Sequence, residues 1–344
     1  MYRFQNDYSE NAHPSILQKL IDMQLEQNGG YGKDDYCLRA TKHIKKHLGC
    51  ESADIHFLAG GTIMNLTVIS HVLKPYEAVI SAYTGHISQH ECGAIEATGH
   101  KVVTVNSKDG KLTPEQIAPV LSEHEDEFWV APKLVYISNP TEIGTVYTKE
   151  ELENLYSYCK QEGLLLYIDG ARLSMALAVP HCNLTMKDFP HLCDFLFIGG
   201  TKVGALFGEA LAIFHEDYKQ NFRHQLKQRG AMLAKGWVLG VQFEQLFQEN
   251  LYFELGKHAN EMAMKIKDGF EKAGCKFLSK SDTNQQFPIL PKLWKEKLAE
   301  KYVFANWLTI SDNEHCVRFC TSWATKEEEV MNLLNDINQL AKES

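Results

Sequence analysis

The chain has 344 residues, 44% hydrophobic and 23% charged, with a formal net charge of -9. That length supports a sizeable core and two domains, and the balance excludes disorder and collagen-like repeats. No basic or aromatic stripe follows a phosphate backbone, so nucleic acid is excluded as the expected partner and a small molecule remains.

The opening stretch, "MYRFQNDYSENAHP", is polar where a signal peptide needs an apolar run, and no segment reaches the roughly 18 apolar residues of a membrane span. No membrane partner is expected. Nine cysteines without a CxxC pair suit a reducing compartment, which predicts a cytoplasmic location. Cys316 and Cys320, the closest pair, match no metal-site spacing, and no metal is predicted.

Next, "PSILQKLIDMQLEQNGG" places Leu17, Leu20, Ile21 and Leu25 on one helical face and predicts a helix that stops at Gly29 and Gly30. Then helical periods alternate with short apolar runs, the mark of an α/β fold with crossovers on a mainly parallel sheet. Seven strands are predicted, in "DIHFLAGG", "AVISAY", "KVVTVN", "KLVYISNP", "LLLYIDGAR", "DFLFIGGTK" and "EALAIFH". Between two of them "TKEELENLYSYCKQEG" opens with Thr148 and Glu151 at capping-box spacing and ends at Gly163, so a helix is predicted there.

The "ENLYFELG" stretch resembles a protease-tag scar, but it lies mid-chain and runs into an amphipathic pattern, so it reads as native helix. From about residue 250 the texture changes. Residues 1–15 are assigned to an amino-terminal segment, 16–249 to a large domain and 250–344 to a smaller α+β domain.

In open α/β sheets ligands bind beyond the carboxyl ends of strands. At one such end Gly60, Gly61 and Thr62 can cradle an anion through backbone amides and a helix amino terminus, or can simply form a tight turn. At a second, an apolar run delivers Asp169, with Arg172 just beyond; alone, the two also suit a structural ion pair. At a third, "FIGGTKVGALFG" delivers Lys202 among glycines. A lysine is rarely buried unpaired, and desolvation lowers its pKa, as an amine needs in order to attack a carbonyl.

Jointly, an anion cradle, an aspartate and a Schiff-base lysine are the parts that hold pyridoxal 5'-phosphate. The phosphate takes the cradle, the aldehyde Lys202, and Asp169 keeps the pyridine nitrogen protonated. His86, in "SAYTGHISQHECGAIEATGHK", can stack on the ring and act as a base near neutral pH. His90 stands one helical turn on, but no further metal ligands accompany the pair.

The chain resembles the threonine aldolase family of fold type I pyridoxal-phosphate enzymes, grouped with the β-eliminating lyases. "NDYSENAHP", "GGT", "GHISQHECGA", "SNPTEIGTVYTKEEL", "YIDGARL", "GGTKVGALFGEA" and "VRFCTSW" occur in the family's order and span nearly the whole chain. The resemblance implies a large domain with a mainly parallel seven-stranded sheet, and a homodimer or homotetramer with active sites at the subunit interface.

It also implies roles. Lys202 bonds the cofactor, Asp169 meets the pyridine nitrogen, His86 stacks on the ring, and Gly61 and Thr62 carry the phosphate. Arg172 lies near the ring hydroxyl and substrate carboxylate, which Arg318 forks and Asn6 assists. Asn6 and Thr201 stand where relatives often have serine. Tyr31, in "NGGYGKDDY", is expected to reach a neighbour's cofactor, unless that stretch is only a surface turn.

The expected reaction is retro-aldol cleavage of threonine or allo-threonine to glycine and acetaldehyde. His86 is the first candidate to take the β-hydroxyl proton and Glu91 the second. A β-eliminating lyase or an aminotransferase on the same scaffold is the alternative, because bond orientation decides among them. A cofactor-free binding protein on this fold is a further one.

Overall fold

The computed structural model describes residues 1–343. Strand β1 (Tyr2–Arg3) precedes α1 (Pro14–Asp22), which starts on a proline, where a missing N–H costs nothing. The helix ends well before Gly29, a correction to the sequence expectation. Met23 closes it by donating its N–H to the carbonyls of Lys19 and Ile21, and then buries its side chain against Tyr36 and Val241. Ile16 is the buried residue of this helix, Leu17 and Leu20 pack partly on the core, and Ile21 and Leu25 point outward, 59% and 89% exposed.

Helix α2 (Asp35–Leu48) is capped by Asp34, whose carboxylate accepts the Cys37 N–H at 2.9 Å, and stops at left-handed Gly49. The seven predicted strands then form one sheet: β2 (Asp54–Leu58), β3 (Glu77–Ala82), β4 (Val102–Val105), β5 (Ala131–Ser138), β6 (Leu165–Gly170), β7 (Phe195–Gly199) and β8 (Glu209–Ile213). Their spatial order is β2-β8-β7-β6-β5-β3-β4, and only β8 runs antiparallel to its neighbours.

Strand residues point alternately to opposite faces. Leu166, Ile168, Leu196 and Ile198 therefore join one core, and Leu165, Tyr167, Phe195 and Phe197 the other. Both faces are covered, which is why these strands read as unbroken apolar runs.

The connections are α3 (Gly61–Val72), α4 (His86–Gln89), α5 (Pro114–Glu123), α6 (Lys149–Gln161) and α7 (Leu173–Leu177). Helix α6 carries the expected capping box: the Thr148 hydroxyl accepts the Glu151 N–H at 3.2 Å, and the Glu151 carboxylate accepts the Thr148 N–H at 2.8 Å. Thr148→Ala is expected to lower stability by about 1 kcal/mol. Urea unfolding checks this, and a midpoint unmoved from the parent would show that the cap contributes nothing.

Helices α8 (Phe222–Gln228) and α9 (Trp237–Phe247) lead to α10 (Leu251–Lys272). The tag-like stretch is thus the native start of α10, which packs on α7 and, further on, on the last helix. Beyond it come β9 (Lys276–Phe277), β10 (Gln285–Gln286), β11 (Pro288–Pro291), α11 (Lys292–Ala299), β12 (Tyr302–Val303), β13 (Ala305–Thr309), β14 (Glu314–Cys320) and α12 (Glu327–Glu343).

Strands β9, β10, β11, β13 and β14 make a second, antiparallel sheet. β1 pairs in parallel with β12, and Phe4 is buried in the cluster formed by α10, α11, α12 and β14. The start of the chain is thereby fastened to its last third. Among the described residues no helix is long and apolar enough to cross a membrane.

Candidate active site

The carboxyl ends of the parallel strands deliver Gly60 and Gly61 after β2, His86 after β3, Glu142 after β5, Asp169 at the end of β6 and Lys202 after β7. Because β8 runs the other way, its first residue, Glu209, arrives at the same edge. All of these line one cavity of about 380 Å³, together with Tyr8, Thr62, Asn65, Ser138, Ala171, Arg172, Phe197, Thr201 and Phe207.

The glycines beside Lys202 answer to the chain's own backbone. A Cβ on Gly199 would stand 2.1 Å from the Ala171 carbonyl oxygen, and one on Gly200 would stand 2.5 Å from that of Gly208. Thr201 donates its N–H to the Gly208 carbonyl, and its hydroxyl accepts the Gly208 N–H at 3.0 Å. The segment is therefore fixed, with Lys202 half-buried at the cavity wall.

The Lys202 ammonium makes no hydrogen bond or salt bridge among the described residues. Burial lowers its pKa, and the nearby Arg172 charge lowers it further, against the opposing pull of Asp7, Asp169 and Glu209. Glu209, buried itself, is pushed up to about 7 by desolvation while its Oε2 accepts the Gly200 N–H at 2.7 Å.

Asp169 is held from three sides. Its Oδ1 accepts the Ala171 N–H at 2.9 Å, and its Oδ2 accepts the Tyr136 hydroxyl at 2.5 Å and the Asn65 amide at 3.3 Å. Asn65 also donates to Glu91 Oε1 at 2.7 Å and accepts from the Tyr167 hydroxyl. The same Glu91 oxygen lies 2.7 Å from His86 Nδ1. An ionised carboxylate only accepts, so Nδ1 carries the proton and Nε2 remains the ring's basic nitrogen. Glu91 is buried and does not line the cavity.

On the far side Glu142 Oε1 accepts the Ser138 hydroxyl at 2.6 Å and the His86 N–H at 2.8 Å, and burial raises its pKa. His86 is therefore fixed by ring and backbone alike.

At the start of α3 the N-cap is Gly60, with no side-chain cap, so the first-turn N–H groups open on the cavity beside the Thr62 hydroxyl. Arg172 lines the cavity, but its Nε and Nη2 donate to Asp7 at 2.6 and 3.1 Å. Arg318 lies off the lining: Nη1 donates to Gln285, Nη2 to the Gln5 carbonyl, and its buried Nε has no partner. Asn6 turns its amide oxygen back onto the Tyr8 N–H and the Ser9 hydroxyl and does not line the cavity. Tyr31 is 44% exposed and also lies off the lining.

The structure thus brings together Gly61, Thr62, His86, Asp169, Arg172 and Lys202, and leaves Asn6 and Arg318 outside the lining. Sequence reasoning missed Asp7, Asn65, Tyr136, Glu142 and Glu209. Asn65 and Glu209 carried a signal: one is a polar residue inside the apolar helix "GTIMNLTVISHV", the other a carboxylate heading the buried strand "EALAI". Among the described residues no cluster of three or more His, Cys, Asp and Glu side chains suits a metal ion.

The donor set fits pyridoxal phosphate: an unpaired amine, a fixed carboxylate and an uncapped helix terminus face one cavity. The chain belongs to the β-eliminating lyase family, whose model matches residues 7–292. Within it the likeness is to threonine aldolases. A low specificity L-threonine aldolase of a Pseudomonas species is 31% identical over 97% of this chain and 96% of its own length, and one of Pseudomonas aeruginosa is 28% identical over the same shares. The solved threonine aldolase of Leishmania major is 47% identical, covers 99% of this chain and 100% of its own, and superposes with a TM-score of 0.98.

Proposed function

We propose that this chain is a pyridoxal-phosphate-dependent aldolase that cleaves β-hydroxy-α-amino acids, L-threonine and L-allo-threonine among them, to glycine and the aldehyde. The observation that carries this is the half-buried, unpaired Lys202 amine facing the same cavity as the fixed Asp169 carboxylate. When bound, the cofactor supplies an electron sink for the bond broken at the substrate Cα.

The chain's own residues do the rest. Lys202 would hold the cofactor's aldehyde, its lowered pKa leaving the free amine nucleophilic. Asp169 holds the proton on the pyridine nitrogen. Gly61 and Thr62 would seat the phosphate at the α3 terminus, and His86 would pack on the ring. Its Nε2 takes the β-hydroxyl proton, because Glu91 holds Nδ1 protonated and stands behind the ring. Arg172, which lines the cavity, orients the substrate carboxylate; Arg318 stands off the lining, with Nη1 on Gln285 and Nη2 on the Gln5 carbonyl, and would have to release them to assist.

A homo-oligomer, dimer or tetramer, with the site at its interface is part of the same proposal, and sedimentation of the reconstituted protein tests it. Nine free cysteines support a cytoplasmic setting.

The test is aldehyde release from L-threonine and L-allo-threonine by the reconstituted protein without a keto acid. Pyruvate and ammonia from serine or cysteine, with no acetaldehyde from threonine, would instead identify an eliminating lyase. His86→Asn is expected to lower kcat by about 10²- to 10⁴-fold. Wild-type turnover in that variant would remove the imidazole from the proton transfer.

A further inference from the structure

Arg172 faces the cavity with its fork already occupied. Asp7 is fully buried, and both of its oxygens accept from the guanidinium, at 2.6 Å from Nε and 3.1 Å from Nη2. Asp7 Oδ2 also accepts the Asn284 amide at 2.8 Å, and the same Asn284 nitrogen donates to the Thr321 carbonyl at 2.8 Å. Asp7 thus stands where the amino-terminal segment, the large sheet and the small sheet meet. A bidentate pair of this kind fixes a guanidinium in one plane and leaves both N–H groups of Nη1, and the second of Nη2, for a ligand.

We propose that Asp7 is a positioning residue: it holds Arg172 in the plane that presents Nη1 to the substrate carboxylate, and its charge balances Arg172 beside Lys202. This rests on the reading that Lys202 holds the cofactor. The charged and titratable groups facing Lys202 are Arg172, Asp7, Asp169 and Glu209. Those facing Asp7 and Arg172 are Lys202, Cys320 and Glu142, with His90 and Arg318 further out. Burial works against the Asp7 charge, and Arg172 and Lys202 outweigh it, so its carboxyl is held below the usual range. In return Asp7 raises the Lys202 pKa that Arg172 lowers.

Removing the Asp7 charge leaves Arg172 uncompensated and makes a proton near Lys202 harder to hold. Lengthening the side chain instead keeps the charge and spoils the fork. The test compares wild type, Asp7→Asn, Asp7→Glu and Asn284→Ala, each reconstituted with pyridoxal phosphate. The visible band of the bound cofactor is titrated with pH, and KM and kcat are measured on L-threonine.

In Asp7→Asn the spectral midpoint is expected to fall by about one pH unit. In Asp7→Glu it stays at the wild-type value. KM is expected to rise about tenfold in both, with a smaller change in kcat. Asn284→Ala removes a partner of Asp7 without altering either charge, so it lowers thermal stability and leaves the midpoint in place.

A midpoint unmoved in Asp7→Asn, one that moves as far in Asn284→Ala, or an unchanged KM in both Asp7 variants overturns the assignment. If Asp7→Asn does not fold, Asp7→Ser carries the same spectral comparison. The titration needs no amino acid. Absence of threonine cleavage in the wild type would therefore count against the proposed reaction and leave the Asp7 result standing.

Discussion

Lys202→Ala is expected to abolish threonine cleavage, lowering kcat on the order of 10⁶-fold, the scale seen when a covalent nucleophile is removed. No other side chain on the cavity wall offers a neutral amine: Arg172 stays charged, and His86 is engaged through Nδ1 with Glu91. The variant should fold normally, because Lys202 makes no hydrogen bond or salt bridge and alanine fits its backbone. Borohydride treatment of the reconstituted wild type should add the cofactor's mass to the peptide containing residue 202, and no such adduct should form in Lys202→Ala. Retained turnover, or labelling at a different lysine, would refute the assignment of the cofactor-bearing residue.

Asp169→Ala is the second large effect. Breaking the proposed charge pair between Asp169 and the pyridine nitrogen should cost about 3–5 kcal/mol, as for other buried, hydrogen-bonded pairs, which corresponds to roughly 10²- to several 10³-fold in rate. The substitution also strands the Tyr136 hydroxyl, which donates to Asp169 at 2.5 Å, and one bond of the Asn65 amide. Stability should therefore fall together with kcat. Asp169→Asn separates the two, since it retains the shape and an acceptor for Tyr136 but removes the charge proposed to hold a proton on the pyridine nitrogen. Measured at saturating cofactor, Asp169→Asn should recover most of the stability and little of the rate. Recovery of both would mean that the carboxylate is structural.

Much of the sheet was legible because β3, β6, β7 and β8 are buried on both faces and so appear as apolar runs closed by glycine or a polar residue. Asp169, Lys202, His86, Gly61 and Thr62 were legible for a related reason: each follows such a run. The missed residues act across distance. Asp7 finds Arg172 and Asn284 only once β1 has paired with β12, and nothing local in "QNDYS" encodes that. Asn6, its neighbour, closes a turn instead, a competition that short polar side chains often win locally. Arg318 was assigned to the substrate, and the fold turns two of its nitrogens to Gln285 and the Gln5 carbonyl. The end of α1 was misread because Met23 leaves the helix to join Tyr36 and Val241, a tertiary preference invisible to periodicity.

The reversed direction of β8 bears on how far the key amine can travel. A parallel successor would require a crossover of about a dozen residues or more, usually through a helix. Here residues 200–208 suffice, and both ends of that span are bolted to the sheet by Gly200, Thr201 and Gly208. Lys202 thus sits on a tether too short to swing. Whatever excursion its nitrogen makes during turnover comes from rotation about its own methylene bonds, with the backbone beneath it acting as a fixed pivot.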